Sequence, residues 1–478
     1  MISKWLPQER LEKWTHILWG LVLVCLPVTS FRYYPPLFGR TIVQPLALYP
    51  LGLLFPLTIY VHWRKRELQL PRQIIPLAAF ILCAIISTVI GGLFAPVPFR
   101  NAEFWGRALR AWASLAFGLS FFFTAIFMSR SQRDLTPTIK WLYLGFAASI
   151  VWGSIQAIAI NTPLLPNSLI KEIQTLFSLR PTVKRRISGF AYEPAWLADQ
   201  IVILYFPWLF ATLLTGIRHY KNKWLETTLG VGGIVLLFLT YSRSGIFSAI
   251  IVITLVFFIT GRRVWGRLMD WFLQSFRRGS RGAKVRRLLI ICALLVALIV
   301  ISFWLSRFQY FANLWSASME EGLVNYIIEN NAGTRLANNV AGFHVFGISP
   351  WSGIGLGGSE LYLADHYPDW ALSELPELSR LLSPDSKSIP NIKNLYLLLL
   401  AETGLPGFWL FIAFYLSILG GILPLLSNRD QSLRYIGIAG LFIWLAAGLR
   451  NMTQDSLTFP VMWVSLGIVV GYTSLLDQ

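Results

Sequence analysis

Leu395-Tyr-Leu-Leu-Leu-Leu-Ala-Glu-Thr-Gly-Leu-Pro-Gly-Phe-Trp-Leu-Phe-Ile-Ala-Phe-Tyr-Leu-Ser-Ile-Leu-Gly-Gly-Ile-Leu-Pro-Leu-Leu426 carries one charged residue, Glu402. About 20 mostly apolar residues suffice to cross the hydrocarbon core of a bilayer as a helix. Runs of that kind recur along the 478-residue chain near 13–30, 42–62, 74–95, 108–128, 139–160, 196–216, 225–241, 244–261, 287–306, 395–426, 434–450 and 457–476. The expectation is an all-α, polytopic integral membrane protein with about twelve transmembrane helices. Composition agrees: 55% of residues are apolar, 13% are charged, and the mean hydropathy is +0.57, where a soluble domain has roughly 25% charged residues. Prolines within or near the spans, such as Pro56 and Pro424, are tolerable where neighbouring helices satisfy the freed backbone groups.

Lys+Arg 41 against Asp+Glu 23 gives a net charge of +18. In a soluble protein that balance suggests nucleic acid. In a membrane protein it reflects basic cytoplasmic loops, and no soluble basic domain is visible, so nucleic acid is excluded as a partner. Basic residues gather at 64–72, 130–140, 218–223, 262–287 and 429–434. With twelve spans, that alternation puts both termini in the cytoplasm. The 262–287 loop mixes Trp265, Trp271 and Phe272 with many cations and reads as a topology determinant or a segment lying on anionic lipid. The outer face then holds two long connections, 161–195 and a large extracytoplasmic loop at 307–393 between the ninth and tenth spans. The chain divides into membrane helices at 1–306, the loop at 307–393 and the last helices at 394–478. Helices are expected within the loop at 317–346 and 370–382. Cys25, Cys83 and Cys292 lie in apolar runs without histidine, which argues against a metal or disulfide framework.

Gly353-Ile-Gly-Leu-Gly-Gly358 spells G-x-G-x-x-G. A dinucleotide site needs a strand before it, a helix after it and a βαβ unit around it, and none is predicted. The turn reads instead as a tight backbone segment closing over a site or packing on a helix end. The outer cations carry more chemistry. Arg180, Lys184, Arg185 and Arg186 precede a span, Arg243 lies in an outer break between spans, and Arg335 lies in the large loop. Guanidinium groups bind phosphate through paired hydrogen bonds, so this set suits a lipid diphosphate or general headgroup contact. Glu193 precedes Pro194 at the start of a span, as a base, a partner for an arginine or a charge favoured by the helix dipole. His344 and His366 are lone loop histidines. Gln156 and Glu402 are the main polar groups expected within spans. No metal-ligand spacing or phosphate-binding loop for a nucleotide is present, so no metal or cofactor is expected.

The chain resembles the bacterial O-antigen ligase and O-antigen polymerase superfamily. The resemblance rests on Arg186-Ile-Ser-Gly-Phe-Ala-Tyr-Glu-Pro-Ala-Trp196, Leu239-Thr-Tyr-Ser-Arg-Ser-Gly245, Gly333-Thr-Arg335, Pro350-Trp-Ser-Gly-Ile-Gly-Leu-Gly357, Asn394-Leu-Tyr-Leu and Glu402-Thr-Gly-Leu-Pro-Gly407, in that order. It implies an inverting, metal-independent glycosyltransferase in the bacterial inner membrane whose active site faces outside. The donor would be a glycan on undecaprenyl diphosphate. The acceptor would be another lipid-linked repeat unit in a polymerase of O-antigen or exopolysaccharide, or lipid A-core in a lipopolysaccharide ligase. Membrane lipid and polysaccharide chain-length or export proteins are further implied partners. By match, Arg335 and Arg186 would take the family's diphosphate-binding arginine roles; with Glu193 and Lys393 they are the catalytic candidates, and Arg185, Arg243, Lys184, Asn394 and His344 are the candidate substrate-binding residues. Ligases carry His-Asn where this chain has Lys393-Asn394. A protonated lysine is no base, so Lys393 would bind phosphate and the base would be Glu193, His344, His366 or none. Polymerase is therefore preferred over ligase. A membrane transporter and a non-catalytic assembly protein are the alternatives of another class.

Overall fold

The computed structural model describes residues 8–34, 42–65, 69–183, 185–262, 265–267, 269–270, 273, 281–306, 323–329 and 332–476. Among these, every regular element is helical and pairing between extended segments is limited to isolated bridges. In order, they include α1 (Gln8–Cys25), α2 (Leu48–Lys65), α3 (Ile74–Leu93), α4 (Phe104–Phe127), α5 (Gln132–Asn161), α6 (Asn167–Phe177), α7 (Pro194–Thr215), α8 (Lys223–Leu239), α9 (Arg243–Thr260) and α10 (Arg281–Ser306). Then come α11 (Leu323–Glu329), α12 (Gly333–Ile348), α13 (Asp369–Glu374), α14 (Pro376–Leu382), α15 (Leu395–Ser427), α16 (Gln431–Asn451) and α17 (Pro460–Thr473).

Each of the twelve expected spans contains helix. Seven helices among the described residues are long and apolar enough to cross a membrane: α3, α4, α5, α7, α9, α15 and α16. Others are shorter, such as α17, which spans 14 residues. The 161–195 connection, expected as a loop, contains the amphipathic helix α6. The expected loop helix at 317–346 is two helices, α11 and α12, with 317–322 outside the described residues.

A helix apolar on all sides belongs in the interior. Every residue of α17 is buried, and α16 and α7 are buried nearly as thoroughly. These three form the centre. Helix α17 lies against α4 through glycines. A Cβ on Gly467 would come within 2.6 Å of the Phe122 carbonyl oxygen, and one on Gly471 within 2.7 Å of that of Ile126. Small residues four apart let two backbones approach where lipid supplies no hydrophobic drive for association. By contrast, the apolar side chains described on α10 are mostly exposed, including Leu288, Leu294 and Ile299.

Two central helices are interrupted, each at a proline. In α7 the segment Ile201–Tyr205 is a π-helical turn. Pro207 has no N–H for the carbonyl of Ile203, and Ser465 on α17 donates its hydroxyl to that oxygen at 3.2 Å. In α15 the break is wider. Gly404 has φ +65 and ψ −175, and Pro406 leaves the Glu402 carbonyl without its helical donor. The turn at 353–355 fills the gap: Ile354 N–H donates to Ala401 O at 3.1 Å and Gly355 N–H to Glu402 O at 2.9 Å. Leu405 N–H in turn donates to Pro350 O at 2.9 Å, and the Ser87 hydroxyl reaches Glu402 O at 2.6 Å. A Cβ on Gly353, which sits at φ +67, would fall on the Glu402 carbonyl group. The G-x-G-x-x-G letters are thus a backbone plug for a broken helix, with no βαβ unit around them.

The segment from α12 to the start of α15 also carries a small core of its own. Ala337, Ala341 and Val345 of α12 pack with Leu363, Tyr367, Ala371, Leu375 and Leu378, and with Ile392 and Ala401 at the start of α15. The Tyr367 hydroxyl donates to the buried Asn338 Oδ1 at 2.7 Å. The plug and this core together seat the loop on the membrane helices.

Candidate active site

Where α4, α7, α15 and the 454–458 turn meet the seated loop, a cleft of about 430 Å³ opens. Its charged lining is Arg107 and Arg110 from the first turns of α4, Glu193 before α7, Glu360 after the Gly-rich turn, Lys393 and Glu402 at α15, and Asp455 between α16 and α17. Arg107 forms an ion pair with Glu360. Glu402 is 2% exposed and accepts from the Ser359 hydroxyl at 2.6 Å and the Ser359 N–H at 3.3 Å. Through these two contacts the loop residues Ser359 and Glu360 are tied to α15 and α4.

Asp455 is held by Asn391, whose Nδ2 donates to Oδ2 at 2.6 Å. Burial raises its pKa above the usual aspartate range, and the charges of Lys393, Arg450 and Arg335 pull it partly back. Beneath the cleft lies a second charged pair. Arg450 Nε is 3.5 Å from Asp199 Oδ2, with both side chains almost wholly buried, and the guanidinium stacks 4.2 Å over the Phe459 ring. Asp199 also feels the charge of Arg335.

Of the residues singled out from sequence, Glu193 and Lys393 line the cleft. Glu193 Oε1 accepts from Arg180 Nη1 at 2.9 Å, so its carboxylate is already paired, and Pro194 occupies the first helical turn behind it. Arg335 lies in the first turn of α12 and is exposed. It is absent from the lining, yet its field reaches Asp455 and Asp199. Arg186 donates Nε–H to the Thr240 carbonyl at 2.9 Å, at the α8–α9 turn that leads to Arg243. This turn adjoins α7, since a Cβ on Gly245 would meet Ala198 Cβ. Arg185 is exposed at φ +59. Lys184 lies outside the described residues.

Asn394 sits at the N-cap of α15, and its Oδ1 accepts from the N–H groups of Tyr396 and Leu397 at 3.0 and 3.3 Å. That oxygen serves the helix. His344 is exposed on α12 with Nδ1 3.0 Å from the His366 carbonyl, and His366 Nδ1 lies 2.8 Å from the Tyr362 carbonyl. Neither histidine lines the cleft. Gln156 is a structural clamp. Its amide bridges Gln174 and the backbone of Ser188 and Gly189.

Sequence reading passed over Arg107, Arg110, Asp199, Arg450 and Asp455. Four of these stand in or at the end of apolar helices, and an ionisable residue in such a place is a signal in itself. Asp455 stands in a short inter-helix turn and carries no comparable mark. Among the described residues, no group of three or more metal-ligating side chains converges.

Residues 228–412 match the sequence model of the O-antigen ligase family, which supports placing the chain in the O-antigen ligase and polymerase superfamily. The matched segment holds Arg243, Arg335, the Gly-rich plug, Lys393 and the α15 break. Arg107, Arg110, Glu193, Asp199, Arg450 and Asp455 lie outside it. No curated protein matches the chain.

Proposed function

We propose, taking as premise that residues 228–412 form an O-antigen ligase-type segment of a membrane enzyme, that this chain transfers lipid-linked glycan in the cleft between α4, α15 and the 454–458 turn. The observation that carries the reading is the cleft itself. It gathers three cations, Arg107, Arg110 and Lys393, and four carboxylates, Glu193, Glu360, Glu402 and Asp455, from inside and outside the matched segment, at a loop seated on membrane helices. Lys393 and Arg110 line it, and Arg335 stands beside it. These groups suit the diphosphate of an undecaprenyl diphosphate donor, on which negative charge grows as the sugar leaves. Arg186, Arg185 and Arg243, around the α8–α9 turn, would follow the lipid end of the same donor.

In this reading Asp455 is the general base. It takes the proton of the acceptor hydroxyl as that oxygen bonds to the anomeric carbon. The bond from that carbon to the phosphate oxygen breaks, and undecaprenyl diphosphate departs with the electron pair. A carboxylate raised by burial suits this role. Lys393, beside it, binds phosphate. Glu193, held by Arg180, positions the cleft edge.

Polymerisation of lipid-linked repeat units is favoured over transfer to lipid A-core, because a lysine stands where ligases carry histidine. The division into helices at 1–306, an outer loop at 307–393 and helices at 394–478, with twelve spans in the inner membrane and both termini in the cytoplasm, belongs to the same proposal. A transporter would use the ionisable groups within spans. Asp199 and Arg450 are such groups, but they sit near the ends of α7 and α16 rather than at mid-span.

The test is incubation of the purified protein with lipid-linked repeat units, with and without lipid A-core. Long polymer from lipid-linked units alone is the expected product. A product that forms only with lipid A-core would make the chain a ligase. No product under either condition, from protein that is folded, would overturn the enzyme reading. Arg110→Ala and Lys393→Ala should each lower turnover by about 10²–10³-fold, the usual effect of removing one preorganised charge-stabilising group.

A further inference from the structure

A second cavity, of about 570 Å³, lies away from the cleft, where the end of α9 meets the end of α15 and the start of α16. Two guanidiniums line it, Arg262 just after α9 and Arg434 in the first turn of α16, and among the described residues no carboxylate does. The nearest acid along the chain, Asp430, caps α16 by accepting from the Ser432 N–H at 2.8 Å and also accepts from Gln132 Nε2 at 3.2 Å. Arg434 is aimed inward, with Nη2 3.5 Å from the Thr260 carbonyl that ends α9. Ile259, Leu423 and Leu426 supply the apolar part of the wall, with Thr260 and Ser427 beside the arginines in the lining. Ile259 is 60% exposed and Leu423 51% exposed. In a helix of this composition such exposure means contact with acyl chains.

Paired arginines at one end and an acyl-facing wall at the other define an amphiphile with an anionic head. We infer that this cavity binds the phosphate of an anionic phospholipid, with its acyl chains along Ile259 and Leu423. A basic pocket between membrane helices at the basic face of a protein is the usual form of such a site. In sequence, the 262–287 stretch that begins with Arg262 holds nine Lys or Arg and one Asp. The cavity is also within the size range of ordinary ligand sites, roughly 300–1,000 Å³. A bound lipid would bridge α9, which lies within the O-antigen ligase match, and the end of α15, which lies beyond it. The inference does not depend on the proposed reaction.

The experiment uses the delipidated full chain in detergent. Its thermal unfolding is followed while short-chain phosphatidylglycerol, phosphatidylcholine or inorganic phosphate is added. Phosphatidylglycerol should raise the transition temperature saturably and phosphatidylcholine should not. Arg262→Ala, a change at an exposed position, should weaken the phosphatidylglycerol effect by about fivefold, and the Arg262→Ala/Arg434→Ala pair by at least about tenfold. Equal response to both lipids, or an unchanged response in Arg262→Ala, overturns the site. An equal shift from inorganic phosphate at the same concentration overturns the lipid assignment in favour of a soluble anion. The glycan-transfer assay reads a different site, so failure of one leaves the other standing.

Discussion

Helices α7 and α15 are both interrupted at a proline, and the two interruptions are sealed in opposite ways. In α7 the carbonyl orphaned by Pro207 is met by one hydroxyl from inside the bundle, that of Ser465. In α15 the carbonyls of Ala401 and Glu402 are met by backbone N–H groups of the 353–355 turn, with the Ser87 hydroxyl as a further donor to Glu402. A side-chain seal is local and replaceable. A backbone seal fixes the position of a whole segment and admits only glycine where the chains touch. The difference explains why the loop that carries Glu360 and Ser359 lies against the cleft in one arrangement, and why the α15 break borders the proposed chemistry.

The largest expected effect lies beside the α7 break. Asp199→Ala leaves Arg450 charged and buried without its partner, which costs about 3–5 kcal/mol. Thermal unfolding in detergent should show it, and Asp199→Asn should be milder. A near-neutral Asp199→Ala would mean that Arg450 finds another anion and that the pair is not the floor of the cleft. Next comes Gly353→Ala at the α15 plug. A left-handed backbone and a clash with the Glu402 carbonyl together cost about 2–4 kcal/mol, and glycan transfer should fall with stability. Retention of full transfer would show that the loop seat is not required, and the contrast between the two breaks would lose its functional meaning.

The third effect reads chemistry. Asp455 holds its proton to higher pH than an ordinary aspartate, because burial outweighs Lys393 and its neighbours. A base must be deprotonated, so the acid limb of transfer should lie above the range of an ordinary aspartate, near 4. Below that limb the rate should fall about tenfold per pH unit, equivalent to about 1.4 kcal/mol. Asp455→Asn should remove the limb along with most of the activity. A limb that persists in Asp455→Asn assigns the base elsewhere. The smallest effect is Ser465→Ala, which leaves the Ile203 carbonyl without its hydroxyl donor and should cost about 1 kcal/mol with transfer unchanged. A cost as large as that of Gly353→Ala would erase the distinction between side-chain and backbone seals.

Apolar runs of about 20 residues were enough to place helix at each expected span, because in a bilayer the backbone has few ways to satisfy itself other than a helix. They were not enough to fix which helices are central. Burial of α17 against α4 depends on Gly467 and Gly471 meeting the Phe122 and Ile126 carbonyls, a match between segments far apart in the chain. Lys393 and Glu193, which line the cleft, stood out in the sequence because each breaks an apolar or motif context. Asn394 looked like a substrate ligand, yet it caps α15, since a side-chain amide before a helix meets unsatisfied N–H groups first.

The sequence by itself determined the class of protein, the positions of its long apolar helices and the polar stretches between them. It also set the resemblance to the O-antigen ligases that the match at 228–412 supports. Tertiary structure alone decided that Gly353–Gly358 plugs a broken helix, and that Arg110, Lys393 and Asp455 share one cleft. It alone set Asp199 against Arg450. The physical reason is range. Helix formation is dictated by neighbours within a turn and by the solvent around them. A charge acquires its chemistry from partners hundreds of residues away, and only the packed fold brings those partners within a few ångströms.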